Sequence, residues 1–138
     1  MATPLYTFSP ETLSDLRKFR FASARANTPQ ALIYIIDKTS YEVKREDDDN
    51  IIDSIEELVD GLPDNSPRFV VLSYPITEAD GRMKSPLVMI YWIPPTCNNE
   101  GRMLYAGAVE LVRDKAGVSK LIKIEEEDEF EDIESLLQ

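Results

Sequence analysis

Two runs, Arg68-Phe-Val-Val-Leu-Ser-Tyr74 and Leu87-Val-Met-Ile-Tyr-Trp-Ile93, decide the fold. Both are apolar with almost no alternation, so each reads as a strand covered on both faces rather than one wet on one side. The polar segment Glu78-Ala-Asp80-Gly81-Arg82 lies between them, and its Asp-Gly pair suits a turn with a left-handed residue. Pro94-Pro95 closes the second run, because proline has no N–H to give to a ladder.

Outward from this pair, Leu32–Ile36 and Tyr41–Lys44 read as a hairpin across Asp37–Ser40, and Lys120–Ile124 as a further strand. Ser9-Pro10-Glu11 starts a helix, with Ser as cap, Pro at the first helical position and an acid in the first turn. Leu13, Leu16 and Phe19 follow at helical spacing, and Thr28-Pro29 ends the unit. The spacing predicts a short helix at Ile55–Leu58, stopped by Gly61 and Pro63. Asn98 or Asn99 caps a long helix to about Lys115, with Gly117 as its stop, and Phe130, Ile133 and Leu137 give a short amphipathic helix at the end. The order α-β-β-α-β-β-α-β-α, without repeat or long linker, predicts an α/β (α+β) fold with one sheet and helices on both faces, in a single domain over residues 1–138.

The 138 residues include no histidine and one cysteine, Cys97. That removes Ser-His-Asp and Cys-His relays, His-ligated zinc and an internal disulfide. The net charge is −11, but it is unevenly spread. Residues 46–60 hold eight acids and residues 125–138 another eight, with no Lys or Arg in either block. The remaining ten acids face all fifteen bases, a net of about +5. Such overall acidity argues against nucleic acid or an anionic membrane as partner, since phosphate binding needs a dense cationic footprint. The basic remainder permits contact with one acidic protein surface. No signal peptide and no run of 18 apolar residues is present, so the chain reads as a soluble intracellular protein.

Few candidate chemistries survive. Counted as an EF-hand loop from Asp47, the sixth and twelfth residues are Ile52 and Leu58, where glycine and a carboxylate are needed. The run Asp47-Asp-Asp-Asn50 is then a solvated acidic loop. A catalytic carboxylate pair needs one desolvated member, and these acids lie in blocks that read as wet. There is no GxxxxGK[ST], GxGxxG or GxSxG pattern. No enzymatic activity, metal or cofactor is expected.

Two surfaces remain. Arg17, Lys18 and Arg20 form either a partner-binding patch or a set of cations complementing a helix dipole. On the long helix, with Leu104 at 0° and about 100° per residue, Ala108 and Leu111 fall near Leu104 with Gly107 and Val112 flanking, a stripe expected to face the sheet. Arg102, Ala106, Val109 and Arg113 then group on the far side, with Met103 and Glu110 beside them. An outward face mixing Met, Ala and Val between two arginines suits a helix that lies in another protein's groove.

Pro67-Arg-Phe-Val-Val-Leu-Ser-Tyr74, Asp80-Gly-Arg82, Cys97-Asn-Asn-Glu-Gly-Arg-Met-Leu-Tyr-Ala-Gly107 and Leu16-Arg-Lys-Phe-Arg-Phe21 together resemble the glia maturation factor family, a branch of the actin-depolymerising factor homology (cofilin-like) domain. The resemblance runs in order over nearly the whole chain. It implies a central, mixed, mostly antiparallel sheet sandwiched between helices. It also implies a monomer in the cytoplasm, with cortical actin structures and the nucleus as places to find it. The implied activity is binding of the actin-related protein 2/3 complex, negative regulation of actin nucleation and debranching. Carried over by position, Thr3, Arg102, Met103, Ala106, Val109, Glu110 and Arg113 would enter the barbed-end groove of an actin-related subunit. Asp80, Gly81 and Arg82, with the acidic last helix, would form a second surface towards the first actin subunit of a daughter filament. Cofilins carry two lysines near the start of this helix, where this chain has Glu100 and Arg102. An acid facing an acidic groove repels, so little or no binding to actin itself is expected. The alternative is a conventional cofilin-like module that binds and severs filaments or holds monomers.

Overall fold

The two deciding runs lie side by side at the centre of the molecule. The computed structural model describes residues 6–23, 28–46, 51–118 and 120–137, with backbone alone at Glu134 and Leu137. Thr3 and the acidic run 47–50 lie outside the described residues, as does the side chain of Leu137. The strands are β1 (Thr7–Phe8), β2 (Gln30–Ile36), β3 (Glu42–Arg45), β4 (Arg68–Ser73), β5 (Ile76–Thr77), β6 (Met83–Lys84), β7 (Leu87–Trp92) and β8 (Lys120–Ile124). The helices are α1 (Pro10–Ser23), α2 (Ile55–Gly61), α3 (Asn99–Ala106), α4 (Val109–Ala116) and α5 (Ile133–Leu137), the last preceded by a 3-10 turn at Glu127–Asp132.

Six strands form one sheet in the order β1-β3-β2-β4-β7-β8, and β5 pairs with β6 as a separate small hairpin. The β1–β3 and β7–β8 pairings are parallel and the three between them antiparallel. The register sets Val70 opposite Ile90 and Val71 opposite Met89. Because side chains alternate along a strand, the continuous apolar runs supply two cores at once. Leu32, Tyr34, Phe69, Val71, Met89 and Tyr91 pack on one face with residues of α1, α3 and α4. Ile33, Val70, Leu72, Val88, Ile90 and Trp92 pack on the other with Leu58 of α2, Phe130 and Ile133. Each fully buried side chain of this kind contributes roughly 1.5–3 kcal/mol against exposure. Trp92 keeps its polar edge satisfied by donating from Nε1 to the Pro63 carbonyl at 2.6 Å.

The helix starts follow the residues that announce them. Ser9 Oγ accepts from Thr12 N–H at 3.1 Å, Ser54 Oγ from Glu57 N–H at 3.1 Å, and Asn98 Oδ1 from Gly101 N–H at 2.7 Å. The Asp37 carboxylate accepts from the N–H groups of Thr39 and Ser40 at 2.8 and 3.1 Å, which shapes the β2–β3 turn. These backbone bonds, then the Lys44 ammonium, hold its carboxyl below the usual aspartate value.

Two expectations need correction. The long helix is two helices, interrupted at Gly107–Ala108. Strands β1, β5 and β6 were not foreseen, since two residues are too short to carry an alternating pattern. Among the described residues no helix is long and apolar enough to cross a membrane.

Candidate partner-binding surface

The chain leaves β7, passes Pro94-Pro95 and enters α3 under the Asn98 cap. Gly101 sits close over Pro67, with only 3.6 Å between its Cβ position and Pro67 Cδ. One turn on, Tyr105 is buried against Phe69, ring centroids 5.2 Å apart, and its hydroxyl accepts from Ile36 N–H at 3.0 Å. Ala108, Val109, Val112 and Ala116 continue the buried stripe. Its centre lies about 90° around the helix from the stripe expected on Leu104 and Leu111. Small residues at 101, 108 and 116 let this face approach the sheet most closely, and the Tyr105 hydrogen bond locks the choice. Leu104 and Leu111 are left half-buried on one shoulder.

The candidate site residues are redistributed by this turn. Met103 is 75% exposed and Ala106 and Glu110 are exposed beside it, so these three form the outward ridge. Val109 does not: it is only 9% exposed and packs with Val112 and Ala116 in the core. Arg102 is half-buried on the other shoulder, its Nη2 donating to the Pro94 carbonyl at 3.3 Å. Arg113 lies 3.8 Å from Glu110 at i,i+3, an exposed pair worth a few tenths of a kcal/mol, about 0.3. The ridge is therefore Met103, Ala106 and Glu110, with a guanidinium at each end.

The helix interruption brings in a residue that the sequence reading missed. Gly107 N–H donates to Met103 O at 3.1 Å, but Ala108 N–H turns to Tyr105 O at 3.1 Å. The Leu104 carbonyl accepts instead from the Tyr6 hydroxyl at 2.7 Å. A Cβ on Gly107 would sit 2.6 Å from that hydroxyl, so the position must be glycine while Tyr6 is in place. Burial, and then Tyr41, raise the Tyr6 pKa above the usual tyrosine value, so the O–H, protonated at neutral pH in any tyrosine, stays a donor further into the alkaline range. The N-terminal arm thus reaches the ridge through Tyr6.

The other two candidate surfaces lie elsewhere. Asp80, Gly81 and Arg82 are all exposed at the tip of the β5–β6 hairpin, which hangs from the end of β4 and β7 opposite to the one that leads into α3. Gly81 has φ of +91°, Glu78 N–H donates to Arg82 O at 2.7 Å, and Arg82 Nε meets Asp80 Oδ2 at 2.7 Å. Met83 beside them is 62% exposed. On α1, Arg17, Lys18 and Arg20 are exposed, but Arg20 Nη2 donates to the Ala116 carbonyl at 3.1 Å. It complements the C-terminus of α4 rather than that of its own helix. The sheet's other side joins the two acidic blocks: Glu56 and Asp60 of α2 face Glu127, Asp128 and Glu131 across an open groove of about 660 Å³.

Residues 5–137 match the family model described as cofilin/tropomyosin-type actin-binding protein. The chain belongs to this actin-depolymerising factor homology family, in its glia maturation factor branch. It is 42% identical to Protein AIM7 of Saccharomyces cerevisiae, over 97% of each chain. It is 37% identical to glia maturation factor beta of Homo sapiens, over 83% of this chain and 78% of that one. The solution structure of glia maturation factor from Caenorhabditis elegans superposes with a TM-score of 0.79 at 34% identity, covering 98% of this chain and 99% of that one. The role is accordingly that of an actin regulator of glia maturation factor type, a family that is not a known class of enzyme.

Proposed function

We propose that this chain, acting as one monomeric domain over residues 1–138, binds the actin-related protein 2/3 complex through the α3–α4 ridge. By doing so it inhibits branch nucleation and promotes dissociation of existing branches, with little or no binding to actin itself. The observation that carries the reading is Met103, 75% exposed beside exposed Ala106 and flanked by Arg102 and Arg113, on a chain whose relatives include proteins named glia maturation factor. A methionine this exposed on a structured helix has roughly 1.5–3 kcal/mol to gain from burial in a partner's groove. That is the scale of an interface anchor.

The action is occupancy. The ridge fills a cleft that a neighbouring actin subunit needs, so binding and branch retention compete, and no cofactor or bond-breaking step is called for. Glu100, exposed in the first turn of α3, sets the preference among clefts, because an acidic rim repels it. Asp80, Gly81 and Arg82 are the second surface in this proposal, directed to the first actin subunit of the daughter filament. The N-terminal segment around Thr3 is proposed as a further contact to the complex. The place of action is the cytoplasm at cortical actin, with the nucleus as a second location.

Arg102→Ala combined with Met103→Ala should abolish capture of the complex while the thermal midpoint falls by only a few degrees, about 2–4 °C, from loss of the Arg102–Pro94 bond. Undiminished capture would remove the ridge from the interface. The family model's actin-binding description favours a second reading, direct cofilin-like binding to filaments. Sedimentation with pure actin filaments separates the two: pelleting without the complex supports the second, and loss of branches with intact filaments under the microscope supports the first.

A further inference from the structure

The interruption between α3 and α4 has a cause outside the helix. A glycine weakens a helix without ending it, and Leu104, Tyr105 and Ala106 before it and Glu110 and Leu111 after it are ordinary helix residues. What changes at Gly107 is the partner of one carbonyl. In a continuous helix Leu104 O would accept from Ala108 N–H. Here that N–H goes to Tyr105 O, Ala108 has φ −102° and ψ −9°, and the Tyr6 hydroxyl takes Leu104 O at 2.7 Å. The same oxygen occupies the space a side chain at 107 would need.

We infer that Tyr6 is a positioning residue for the docking ridge: its phenol, wedged over Gly107 and bonded to the Leu104 carbonyl, keeps α3 and α4 apart and joins the N-terminal arm to them. The inference rests on the ridge being the docking surface. Met103 and Ala106 belong to α3, and Glu110 and Arg113 to α4, so the angle between the two pairs depends on the interruption. Annealing the helices would return Ala108 N–H to Leu104 O and re-aim one pair against the other.

The arm is lightly held. β1 has two residues, Thr7 N–H donates to Tyr41 O at 3.0 Å, and the Tyr6 and Tyr41 rings are 6.1 Å apart. Such a segment releases at lower cost than the core does. A partner that prefers the interrupted ridge tightens the arm, and whatever displaces the arm weakens the ridge for that partner by the same factor.

Three variants of the full chain test this: Tyr6→Phe, Gly107→Ala, and the two combined. The Gly107→Ala methyl should expel Tyr6 and lower the thermal midpoint. Adding Tyr6→Phe should restore it to that of Tyr6→Phe alone, because the next ring atom, Cζ, stands 3.5 Å from the new Cβ. In the free double variant the Ala108 amide should exchange more slowly than in wild type, having regained Leu104 O. The double variant, though as stable as Tyr6→Phe, should bind the actin-related protein 2/3 complex about tenfold more weakly than wild type. A purely structural role for Tyr6 predicts that binding recovers along with stability. Wild-type affinity in the double variant, or unchanged Ala108 exchange, overturns the inference. A wild-type chain that does not bind the complex removes the docking reading instead, and exchange in the free protein then decides the role of Tyr6 alone.

Discussion

Gly117→Ala offers a sharp test of how α4 is finished. Gly117 has φ of +66°, its N–H donates to Arg113 O at 3.1 Å, and a Cβ there would lie 1.7 Å from Arg20 Nη2. The left-handed backbone costs a residue with a side chain about 1 kcal/mol. The clash itself is inexpensive, because the guanidinium is the far end of a flexible chain and can swing away. It then gives up its bond to the Ala116 carbonyl, worth about 1–1.5 kcal/mol once solvent screening at this exposed position is allowed for. The sum is about 2–2.5 kcal/mol. For 138 residues that is a fall of roughly 7–9 °C in Tm. Arg20→Ala alone should cost about 1 kcal/mol, and in that background Gly117→Ala should cost only its backbone share, again about 1. Urea denaturation of the four proteins reads the cycle. If Gly117→Ala costs the same with and without Arg20, the guanidinium does not cap α4. If the Ala116 carbonyl is what Arg20 serves, Arg20→Ala should lower stability and leave capture of the partner unchanged, which a binding assay on the same variant checks.

Val109→Ala should destabilise by about 2 kcal/mol, since two buried methyl groups go and the core behind them relaxes only in part. Met103→Ala should stay within about 0.5 kcal/mol of wild type in the same denaturation series. Tyr34 is buried with a hydroxyl that finds no hydrogen-bond partner among the described residues, and burial pushes its pKa far above the tyrosine range. Tyr34→Phe should leave stability equal or raise it by up to about 1 kcal/mol; a clear loss would mean that the hydroxyl is satisfied. Asp37 has a depressed folded-state pKa, so its contribution is present above the ordinary aspartate value and fades as pH falls through the folded one. Asp37→Ala should therefore show a shallower loss of stability than wild type below about pH 4, and an equal slope would refute the assignment.

Much of this was legible in the residues. The uninterrupted apolar character of 69–72 and 87–93 can only be buried from two sides, which is why the layered sheet followed from sequence. Ser9 and Asn98 mark helix starts because a side-chain oxygen there meets N–H groups that have no other partner, and Ser54, which the sequence reading does not single out, does the same for α2. The site was legible in part. Met103, Ala106 and Glu110 face outward as their spacing predicts, while Val109 turns inward because the buried stripe is not centred on Leu104. The signal for that rotation lies in Gly101, Ala108 and Ala116, the small residues that permit close approach. Nothing in the local pattern pointed to Tyr6, which stands 98 positions from the carbonyl it serves.

The order of the longer elements, the two-sided sheet and the presence of an arginine-flanked helical ridge come from short-range chemistry: periodicity, caps, and the inability of proline and glycine to continue regular structure. Which way that ridge faces, where it is interrupted, and that Arg20 closes the end of α4 were decided only when segments far apart in the chain came together. A helix's own pattern leaves its rotation open by a quarter turn, and the closest packing against the sheet resolves it. A carbonyl freed inside a helix needs a donor, and only the assembled fold could bring the Tyr6 hydroxyl to it.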